Sequence, residues 1–439
     1  MKTVIMAGGK GTRISSVASD IPKPMIKIEG KPVLEHEIEC LKKQGFTDLL
    51  ITISHLGSII QDYFGDGSRF GVQIQYFNEE KPLGNAGALF KLRDQLTEDF
   101  LLLNADAVFD VDFSRFVEYH RAKGGLATLF THPNSHPYDS SVLIVDEQGA
   151  VVTWLTKEGT RPKWYRNRVN AGLHVINPTV LDMTGISPEI VGTEVAGKIV
   201  KVDLDRQVLK PMCGTGKMFC YDSPEYVKDM GTPDRYEVVC RDFAEGRVKA
   251  KNLLRKQKAV FLDRDGTINR NVGFLRNIDN FELLPGVAEA LRRINASGYL
   301  AIVITNQPVV ARGEITLDQL QEIHYKMETL LGADGAYLDA IYYCPHHPDK
   351  GFEGEISELK IECDCRKPKP GMLLIAAKEY NIDLRQSWMI GDSENDIKAG
   401  VAAGCKTALV GKDDYGQNIA DSSLLHLVNQ IMDKQKSAG

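Results

Sequence analysis

Short apolar runs alternate along this chain with segments in which apolar residues recur at helical spacing. Residues 259–262 and 300–304 are unbroken apolar runs of the length of buried parallel strands, and residues 2–7 alternate into another short strand. Helix faces are marked by Leu34, Ile38 and Leu41, and again by Val287, Leu291 and Ile294, where Pro285 is expected in the first helical turn. Strands that alternate with helices indicate an α/β fold with mostly parallel sheets.

The length of 439 residues leaves room for two hydrophobic cores. Tyr236, Val239 and Phe243 predict a helix, which a basic stretch at residues 247–258 follows as a solvated connector. We therefore predict domains at residues 1–240 and 258–439, joined by a helical linker at 241–257. Each is expected to be a Rossmann-like, three-layer α/β domain.

Composition and charge exclude several classes of protein. A net charge of -6 and a pI of about 6.0 argue against binding to nucleic acid or to a membrane surface. No apolar run reaches the roughly 18 residues that span a bilayer, and the N-terminal apolar stretch is too short for a signal peptide. Eight cysteines in so long a chain favour a reducing compartment, so we expect a cytoplasmic protein.

The strongest candidate chemistry follows the apolar run at residues 259–262. Asp263 and Asp265 stand one residue apart at a strand end, where one carboxylate can attack phosphorus and the other can transfer a proton. The string DRDGT, followed in order by Thr305, Lys367 and Asp392, resembles the motifs of haloacid dehalogenase-like (HAD) phosphatases. That resemblance implies catalytic roles for Asp263, Asp265, Thr305 and Lys367. It also implies Mg²⁺ on Asp263, on Asp392 and on the main-chain carbonyl of Asp265.

Cys344, His346, Cys363 and Cys365 have the character of a closed, structural zinc site, and His347 is interpreted as a spare surface residue. With TNQxxxARG, this loop resembles the D-glycero-D-manno-heptose 1,7-bisphosphate 7-phosphatases, and histidinol-phosphate phosphatases share a related loop. The resemblance implies substrate contacts from Asn306, Arg312, Arg366 and Lys367. Two departures are Val309, where that family usually has glycine, and a longer loop between His346 and Cys363.

The N-terminal strand runs into a glycine-rich loop that contains Gly8, Gly9, Gly11, Thr12 and Arg13. Such loops let backbone N–H groups approach a phosphate, although this one fits neither the Walker A nor the GxGxxG pattern. Lys23 follows between two prolines that hold the backbone extended. A phosphate-binding site is therefore expected after the first strand.

Five stretches resemble the sugar-phosphate nucleotidyltransferases: GTR with PKPM, PLGNAGAL at 82–89, FLLLNAD at 100–106, VNAGLHV at 169–175 and DMGTP at 229–233. This resemblance implies Mg²⁺ on Asp106 and Asp229, and triphosphate contacts from Arg13 and Lys23. It further implies nucleotide contacts from the glycine loop, Gly84 and Asn85, and a sugar site lined by Asn170 and Gly172.

The run Thr156-Lys157-Glu158-Gly159 departs from the Glu-Lys-Pro motif that usually precedes the sugar-site strand of this family. Lys157 either reaches the sugar phosphate or is a solvated surface lysine, and the sequence leaves both open.

The two resemblances together imply a bifunctional enzyme that uses Mg²⁺ in both halves and one structural Zn²⁺. It would dephosphorylate heptose 1,7-bisphosphate at O7 and then transfer a nucleotidyl group to heptose 1-phosphate. GTP is favoured as the nucleotide donor because the enzymes that transfer an adenylyl group to heptose phosphates usually have another fold. This is an argument from family analogy alone. Partners would be sugar phosphates and NTP, without nucleic acid or membrane, and a homo-oligomer is left open. The alternatives are a histidinol-phosphate-type phosphatase fused to a mannose-1-phosphate-type transferase, or one non-catalytic half.

Overall fold

The computed structural model describes residues 1–9, 20–351 and 353–436. The chain divides into two compact units. The first comprises Met1–Thr131, Leu143–Trp154 and Asn170–Asn252, and the second comprises His132–Val142, Leu155–Val169 and Leu253–Gly439. Within the described ranges, no helix is long and apolar enough to cross a lipid bilayer.

The N-terminal part of the chain alternates strands with short helices. Its strands are β1 Thr3–Met6, β2 Lys27–Ile28, β3 Lys31–Pro32, β4 Asp48–Ile53, β5 Gln73–Asn78, β6 Phe100–Asn104, β7 Ala107–Asp110, β8 Ala127–His132, β9 Val142–Val145, β10 Val151–Leu155, β11 Val169–Ile176, β12 Glu194–Val195, β13 Lys198–Ile199, β14 Met218–Asp222 and β15 Tyr226–Asp229. Its helices are α1 Val33–Lys43, α2 Gly57–Phe64, α3 Gly87–Lys91, α4 Phe113–Lys123, α5 Thr179–Asp182, α6 Pro233–Ala244 and α7 Arg247–Ala250.

The sheet of the first unit is built around β1, which pairs in parallel with β4 and β6. Strand β5 extends the parallel part, and β11 joins β6 in the antiparallel sense. Side chains alternate across β1, so Ile5 packs with α1 and α4 on one face while Val4 packs with α3 on the other. The sheet therefore lies between two helical layers, as the sequence predicts.

The second unit has a simpler topology. Its strands are β16 Lys258–Leu262, β17 Tyr299–Asn306, β18 Ala340–Cys344, β19 Trp388–Gly391, β20 Lys406–Val410 and β21 Ile419–Asp421. Its helices are α8 Val287–Asn295, α9 Leu317–Ala333, α10 Gly371–Glu379, α11 Glu394–Ala403 and α12 Leu424–Lys436. All six strands are parallel, in the order β18-β17-β16-β19-β20-β21.

Both faces of this parallel sheet are buried. Val260 and Leu262 of β16 pack with α8, α9 and α12, whereas Ala259 and Phe261 pack with α10 and α11. This explains why the strand is an unbroken apolar run in the sequence. Because parallel strands end at the same edge, Asp263, Asn306 and Asp392 are delivered to one side of the sheet.

The structure differs from the sequence analysis in the start of one helix, and it shows to which unit the connector helix belongs. Pro285 does not lie in the first turn of α8, because that helix begins at Val287 after Gly286, whose φ is +80°. The connector helix belongs to the first unit, since Val239 and Val248 of α6 and α7 pack with Met230 and with residues of the segment before α1. The first compact unit consequently continues to Asn252.

Candidate active sites

The first unit has a cavity of about 650 Å³ at the carboxyl ends of β1 and β6. The described residues that line it are Met6, Ala7, Gly8, Gly9, Lys23, Pro24, Glu79, Pro82, Leu83, Gly84, Asn85, Asn104, Ala105, Asp106, Lys201 and Gly231. The fold thus brings together six of the predicted site residues of this half, namely Gly8, Gly9, Lys23, Gly84, Asn85 and Asp106. Gly11, Thr12 and Arg13 lie outside the described residues.

Lys23 and Asp106 form an ion pair in this cavity, with Nζ and Oδ2 separated by 2.5 Å. Lys23 begins a short 3₁₀ turn, Lys23–Met25, so the expectation of an extended backbone between the two prolines is wrong at Lys23 itself; of the two prolines, only Pro22 is extended. A proline is compatible with the first turn of a helix, and Pro24 takes that position here. Asp106 follows β6 directly. The sequence separation of 83 residues is closed by the parallel sheet.

Asp229 is not among the described residues that line the cavity, but β15 pairs with β7 and sets Asp229 opposite Ala107, the residue after Asp106. The carboxylate of Asp229 accepts two hydrogen bonds from Arg235, at 2.7 and 2.8 Å, and one from the backbone N–H of Gly231 at 2.8 Å. Burial alone would raise the pKa of Asp229, but Arg235 and Gly231 outweigh it and lower that pKa. Arg235 is a cation that sequence reasoning missed, since a charged helical residue usually faces solvent.

The loop that contains Gly84 and Asn85 is clamped by a segment from far along the chain. Val202 donates to the carbonyl of Leu83 at 2.8 Å and accepts from Ala86 at 3.0 Å. Gly84 has a φ of +85°, and a Cβ there would lie 2.3 Å from the carbonyl oxygen of Val202. Only glycine fits, so this position serves the close approach of two backbones whatever it contacts in a ligand.

Asn170 and Gly172 lie on β11, next to β6. A Cβ at Gly172 would lie 2.6 Å from Nδ2 of Asn104. The absence of a side chain at Gly172 therefore leaves room for the amide of Asn104, which lines the cavity. Oδ1 of Asn170 accepts from the N–H of Gly172 at 3.1 Å and lies 3.1 Å from Nε2 of His174. Because an amide oxygen only accepts, Nε2 of His174 is the donor in this contact. Asn170 and Gly172 are not among the described residues that line the cavity.

Lys157 is part of the second compact unit, where its ammonium lies 3.6 Å from Asp139 and the side chain is half exposed. It is absent from the described lining of the first cavity. Two lining residues that the sequence did not single out are Glu79 and Lys201. Both lie in loops without a motif, so no local pattern marked them.

A second cavity, of about 310 Å³, opens in the second unit at the carboxyl ends of β16, β17 and β19. The described residues that line it are Asp263, Asp265, Asn271, Gly273, Phe274, Leu275, Thr305, Asn306, Gln307, Pro308, Val309, Arg366, Lys367, Asp392, Ser393 and Asn395. Seven predicted residues meet here: Asp263, Asp265, Thr305, Asn306, Arg366, Lys367 and Asp392.

Lys367 is buried between two carboxylates, 2.7 Å from Asp263 and 2.5 Å from Asp396. Ligand atoms of Asp263, Asp392 and Asp396 lie within 4.8 Å of one another. Burial raises the pKa of Asp263 and of Asp392, and the charge of Asp396 adds to both shifts. Concentrated buried negative charge of this kind fits a divalent cation held by oxygen ligands. Asp396, the second aspartate of GDSEND, was missed as a site residue.

The carboxylate of Asp265 is not part of the cluster formed by Asp263, Asp392 and Asp396, because it is bound by hydrogen-bond donors of its own. It accepts from Arg264 at 2.9 Å, from Asn269 at 2.9 Å and from Gln307 at 2.8 Å. Burial would raise the pKa of Asp265, but the Arg264 charge and these hydrogen bonds lower it. Arg264 is fully buried. Sequence reasoning passed over it because a lone arginine in a turn is usually exposed.

Asn306 fixes the backbone of Lys367 by accepting from its N–H and donating to its carbonyl, both at 3.0 Å. The hydroxyl of Thr305 is buried and accepts from Gln307 at 2.9 Å. Arg366 lines the cavity and donates to the carbonyl of His346 at 3.2 Å. Arg312 is not among the described lining residues, and its guanidinium lies over Phe274 and donates to Glu314 at 2.8 Å.

The four predicted zinc ligands converge. The sulfur atoms of Cys344, Cys363 and Cys365 are 3.2 to 3.5 Å apart, and Nδ1 of His346 lies 3.4 Å from the sulfur of Cys365. Three thiols and one imidazole within ligand reach of a single point fit a tetrahedral Zn²⁺ with no open position. His347 is instead beside Asp349, whose N–H donates to its Nδ1 at 3.2 Å.

Comparison with known proteins divides the chain in the same way. A family model described as Nucleotidyl transferase matches residues 2–245, and one described as HAD-hydrolase-like matches residues 364–427. The chain is 45% identical over 177 residues to the D-glycero-beta-D-manno-heptose-1,7-bisphosphate 7-phosphatase of Haemophilus influenzae. The aligned region covers 39% of this chain and 94% of that protein.

Two solved structures are also similar. HddC from Yersinia pseudotuberculosis is 25% identical with a TM-score of 0.44, over 55% of this chain and 99% of that chain. The D,D-heptose 1,7-bisphosphate phosphatase from B. bronchiseptica, solved with magnesium and phosphate, is 32% identical with a TM-score of 0.36, over 40% and 99% of the two chains.

Proposed function

The chain joins a member of the nucleotidyl transferase family to a member of the heptose 1,7-bisphosphate 7-phosphatase family, and from this premise we propose that it makes a nucleotide-activated heptose in two consecutive steps. The second unit removes the 7-phosphate of D-glycero-D-manno-heptose 1,7-bisphosphate. The first unit then joins heptose 1-phosphate to a nucleotide, for which GTP is the proposed donor, and releases pyrophosphate. The observation that supports this proposal is that one chain has two separate cavities, each lined by residues of the motifs that resemble its family.

In the phosphatase cavity, the carboxylate of Asp263 attacks phosphorus in line and forms an aspartyl phosphate. Asp265 gives its proton to the departing alkoxide of the sugar. It then takes a proton from the water that hydrolyses the aspartyl phosphate, so the cycle is balanced. Arg264 favours the ionised form of Asp265, and a phosphoryl dianion beside it favours proton uptake.

Lys367 neutralises charge on the transferring phosphoryl group, and Asn306 keeps its backbone in place. The hydroxyl of Thr305 lies at the end of β17, where it can donate to a phosphoryl oxygen. Asp263, Asp392 and Asp396 lie where they would hold Mg²⁺, whose charge stabilises the phosphoryl oxygens when it is bound. Arg366 lines the same cavity and is proposed to contact the sugar phosphate.

In the transferase cavity, no protein nucleophile is needed, because the phosphate of the sugar attacks the α-phosphorus of the NTP. Attacker and leaving group are both anionic, so catalysis requires concentrated positive charge. Lys23 and Arg13 are proposed on the triphosphate, and Gly8, Gly9, Gly11, Thr12, Gly84 and Asn85 on the nucleotide. Asp106 and Asp229, brought together by the pairing of β7 and β15, would hold Mg²⁺ with the phosphate oxygens.

The remaining assignments follow from the same premise. Asn170 and Gly172 are proposed to line the sugar site. Cys344, His346, Cys363 and Cys365 would hold a structural Zn²⁺ that fixes the loop before Arg366 and Lys367. The partners are small molecules, namely sugar phosphates and NTP. A cytoplasmic location is proposed because all eight cysteines are free thiols, as is usual in a reducing compartment.

The proposal is tested with the full chain, heptose 1,7-bisphosphate and each NTP in turn, while phosphate and pyrophosphate release are followed. The wild type should release both, with GTP giving the fastest pyrophosphate release. Asp263→Asn should abolish phosphate release yet still use supplied heptose 1-phosphate, and Asp106→Asn should have the opposite phenotype. If Asp106→Asn still forms the nucleotide sugar, the first unit does not act as proposed.

A further inference from the structure

Of the charged residues that line the cavity of the first unit, some have a partner in the described structure and one does not. Its described ionisable lining residues are Lys23, Glu79, Asp106 and Lys201. Lys23 pairs with Asp106 at 2.5 Å, and Glu79 accepts from the N–H of Leu83 at 3.3 Å. Lys201 is exposed to the cavity and has no hydrogen bond or ion pair within the part of the chain that the structure describes.

The backbone next to Lys201 is fixed by hydrogen bonds, although the Lys201 side chain has no partner among the described residues. Val202, the next residue, forms hydrogen bonds with both Leu83 and Ala86 across Gly84, at 2.8 and 3.0 Å. Leu204 then donates its N–H to Oδ1 of Asn85 at 2.8 Å. Three hydrogen bonds within four residues fix where Lys201 leaves the backbone, so less entropy is lost when its ammonium binds a ligand.

The proposed reaction needs such a cation. Attack in line places the sugar phosphate on the side of the α-phosphorus opposite the leaving pyrophosphate, so cations on the β- and γ-phosphates do not reach the attacking phosphate. The lysine that resemblance suggests for this role, Lys157, belongs to the second compact unit and lies 3.6 Å from Asp139. It does not line the cavity, and among the described lining residues only Lys201 is a cation without a counter-charge.

We propose that Lys201 binds the phosphate of the sugar 1-phosphate in the transferase cavity. It would replace the lysine of the Glu-Lys-Pro motif, which this chain lacks. This inference rests on the proposed function of the first unit. An ammonium at this position gives up to three donors to the phosphate oxygens and lowers the repulsion between the two anionic substrates.

The test measures nucleotidyl transfer by the full chain with heptose 1-phosphate and GTP, each varied separately. Lys201→Ala should raise KM for the sugar phosphate about 10- to 100-fold, the usual effect of losing one charge-assisted hydrogen bond. KM for GTP should change less than about twofold, and Lys201→Arg should recover most of the loss because it keeps the charge. Lys198→Ala removes an exposed lysine from the same segment and serves as the matched control.

An unchanged KM for GTP checks that the first unit of each variant is folded. An unchanged KM for the sugar phosphate in Lys201→Ala, or an increase confined to KM for GTP, overturns the inference and leaves the proposed function standing. If the wild type uses mannose 1-phosphate and not heptose 1-phosphate, the proposed function fails while the same comparison still tests Lys201. A wild-type chain that uses no sugar 1-phosphate overturns both.

Discussion

The guanidinium of the fully buried Arg264 donates to the carboxylate of Asp265, its neighbour in the sequence, at 2.9 Å. The same guanidinium donates to Oε1 of Gln307 at 2.8 Å, and Gln307 donates back to Asp265 at 2.8 Å. A closed ring of hydrogen bonds therefore fixes the orientation of the proposed proton-transfer group. A buried charge arranged in this way is costly to disturb, because removing one partner leaves the others with fewer hydrogen bonds to compensate for their burial.

Replacing this guanidinium while keeping its charge should affect chemistry more than binding. Arg264→Lys loses the fork that contacts Asp265 and Gln307 together. We expect the kcat of the phosphatase to fall about 10- to 100-fold, a part of what general acid–base catalysis contributes, with KM changed little. Steady-state phosphate release measures both constants. An increase in KM at unchanged kcat would show that Arg264 serves substrate binding instead.

Gly266 is expected to tolerate no side chain. Its φ is +86°, and a Cβ would lie 1.9 Å from Oδ2 of Asp392. Gly266→Ala should therefore displace Asp392 and abolish phosphatase activity. Gly404→Ala is the matched control, because Gly404 has a φ of +82° and no neighbour within 4 Å of its Cβ. The control should cost about 1 kcal/mol of stability through backbone strain alone and retain activity. Equal activity in the two variants would contradict the steric argument.

Removal of one thiol from the Cys/His cluster should loosen the second unit. Cys365→Ser is expected to lose the bound zinc, to lower the Tm of this unit by roughly 5–10 °C and to reduce phosphatase activity, because Arg366 and Lys367 follow directly. Zinc is measured on the purified protein and unfolding by calorimetry. Cys405→Ser, which changes a buried cysteine outside the cluster, should keep its zinc. Wild-type protein without zinc would refute the site.

The buried His174 predicts an acid-sensitive first unit. Burial lowers the pKa of His174 to about 4, below the value of about 6.5 in an unfolded chain. The unfolded state then binds more protons below pH 6.5, so stability is complete above that pH and is lost as the pH falls towards 4. The loss is of the order of 2–3 kcal/mol for this group.

His174→Gln keeps a donor for Asn170 and removes the titrating group. Its free energy of unfolding, from urea titrations at pH 7 and 4.5, should fall less than that of the wild type over this interval. KM for the sugar phosphate should stay close to the wild-type value in His174→Gln and rise in His174→Phe, which has no donor for Asn170. The same loss of stability in the wild type and in His174→Gln would assign acid sensitivity to other groups.

Much of the fold was accessible from local pattern, and the misplaced start of α8 has a local cause as well. Apolar runs at residues 259–262 and 300–304 predicted β16 and β17, because strands buried on both faces need no polar positions. The Pro285 expectation failed because Gly286 adopts a φ of +80°, which ends the turn before the helix begins. A glycine conformation of this kind depends on its surroundings, so the residue type alone does not reveal it.

The sequence by itself determined the two α/β halves, their families and the acids that stand at strand ends, because those features are written in consecutive residues. The tertiary structure alone decided which charges are paired: Asp396 lies beside Lys367, and Arg235 binds Asp229. It also left Lys201 in the first cavity without a partner among the described residues, while Lys157 lies in the second unit. Coulomb and hydrogen-bond energies depend on distances of a few ångströms between residues that are distant in the chain. Only the closed fold sets those distances, so no spacing along the chain records them.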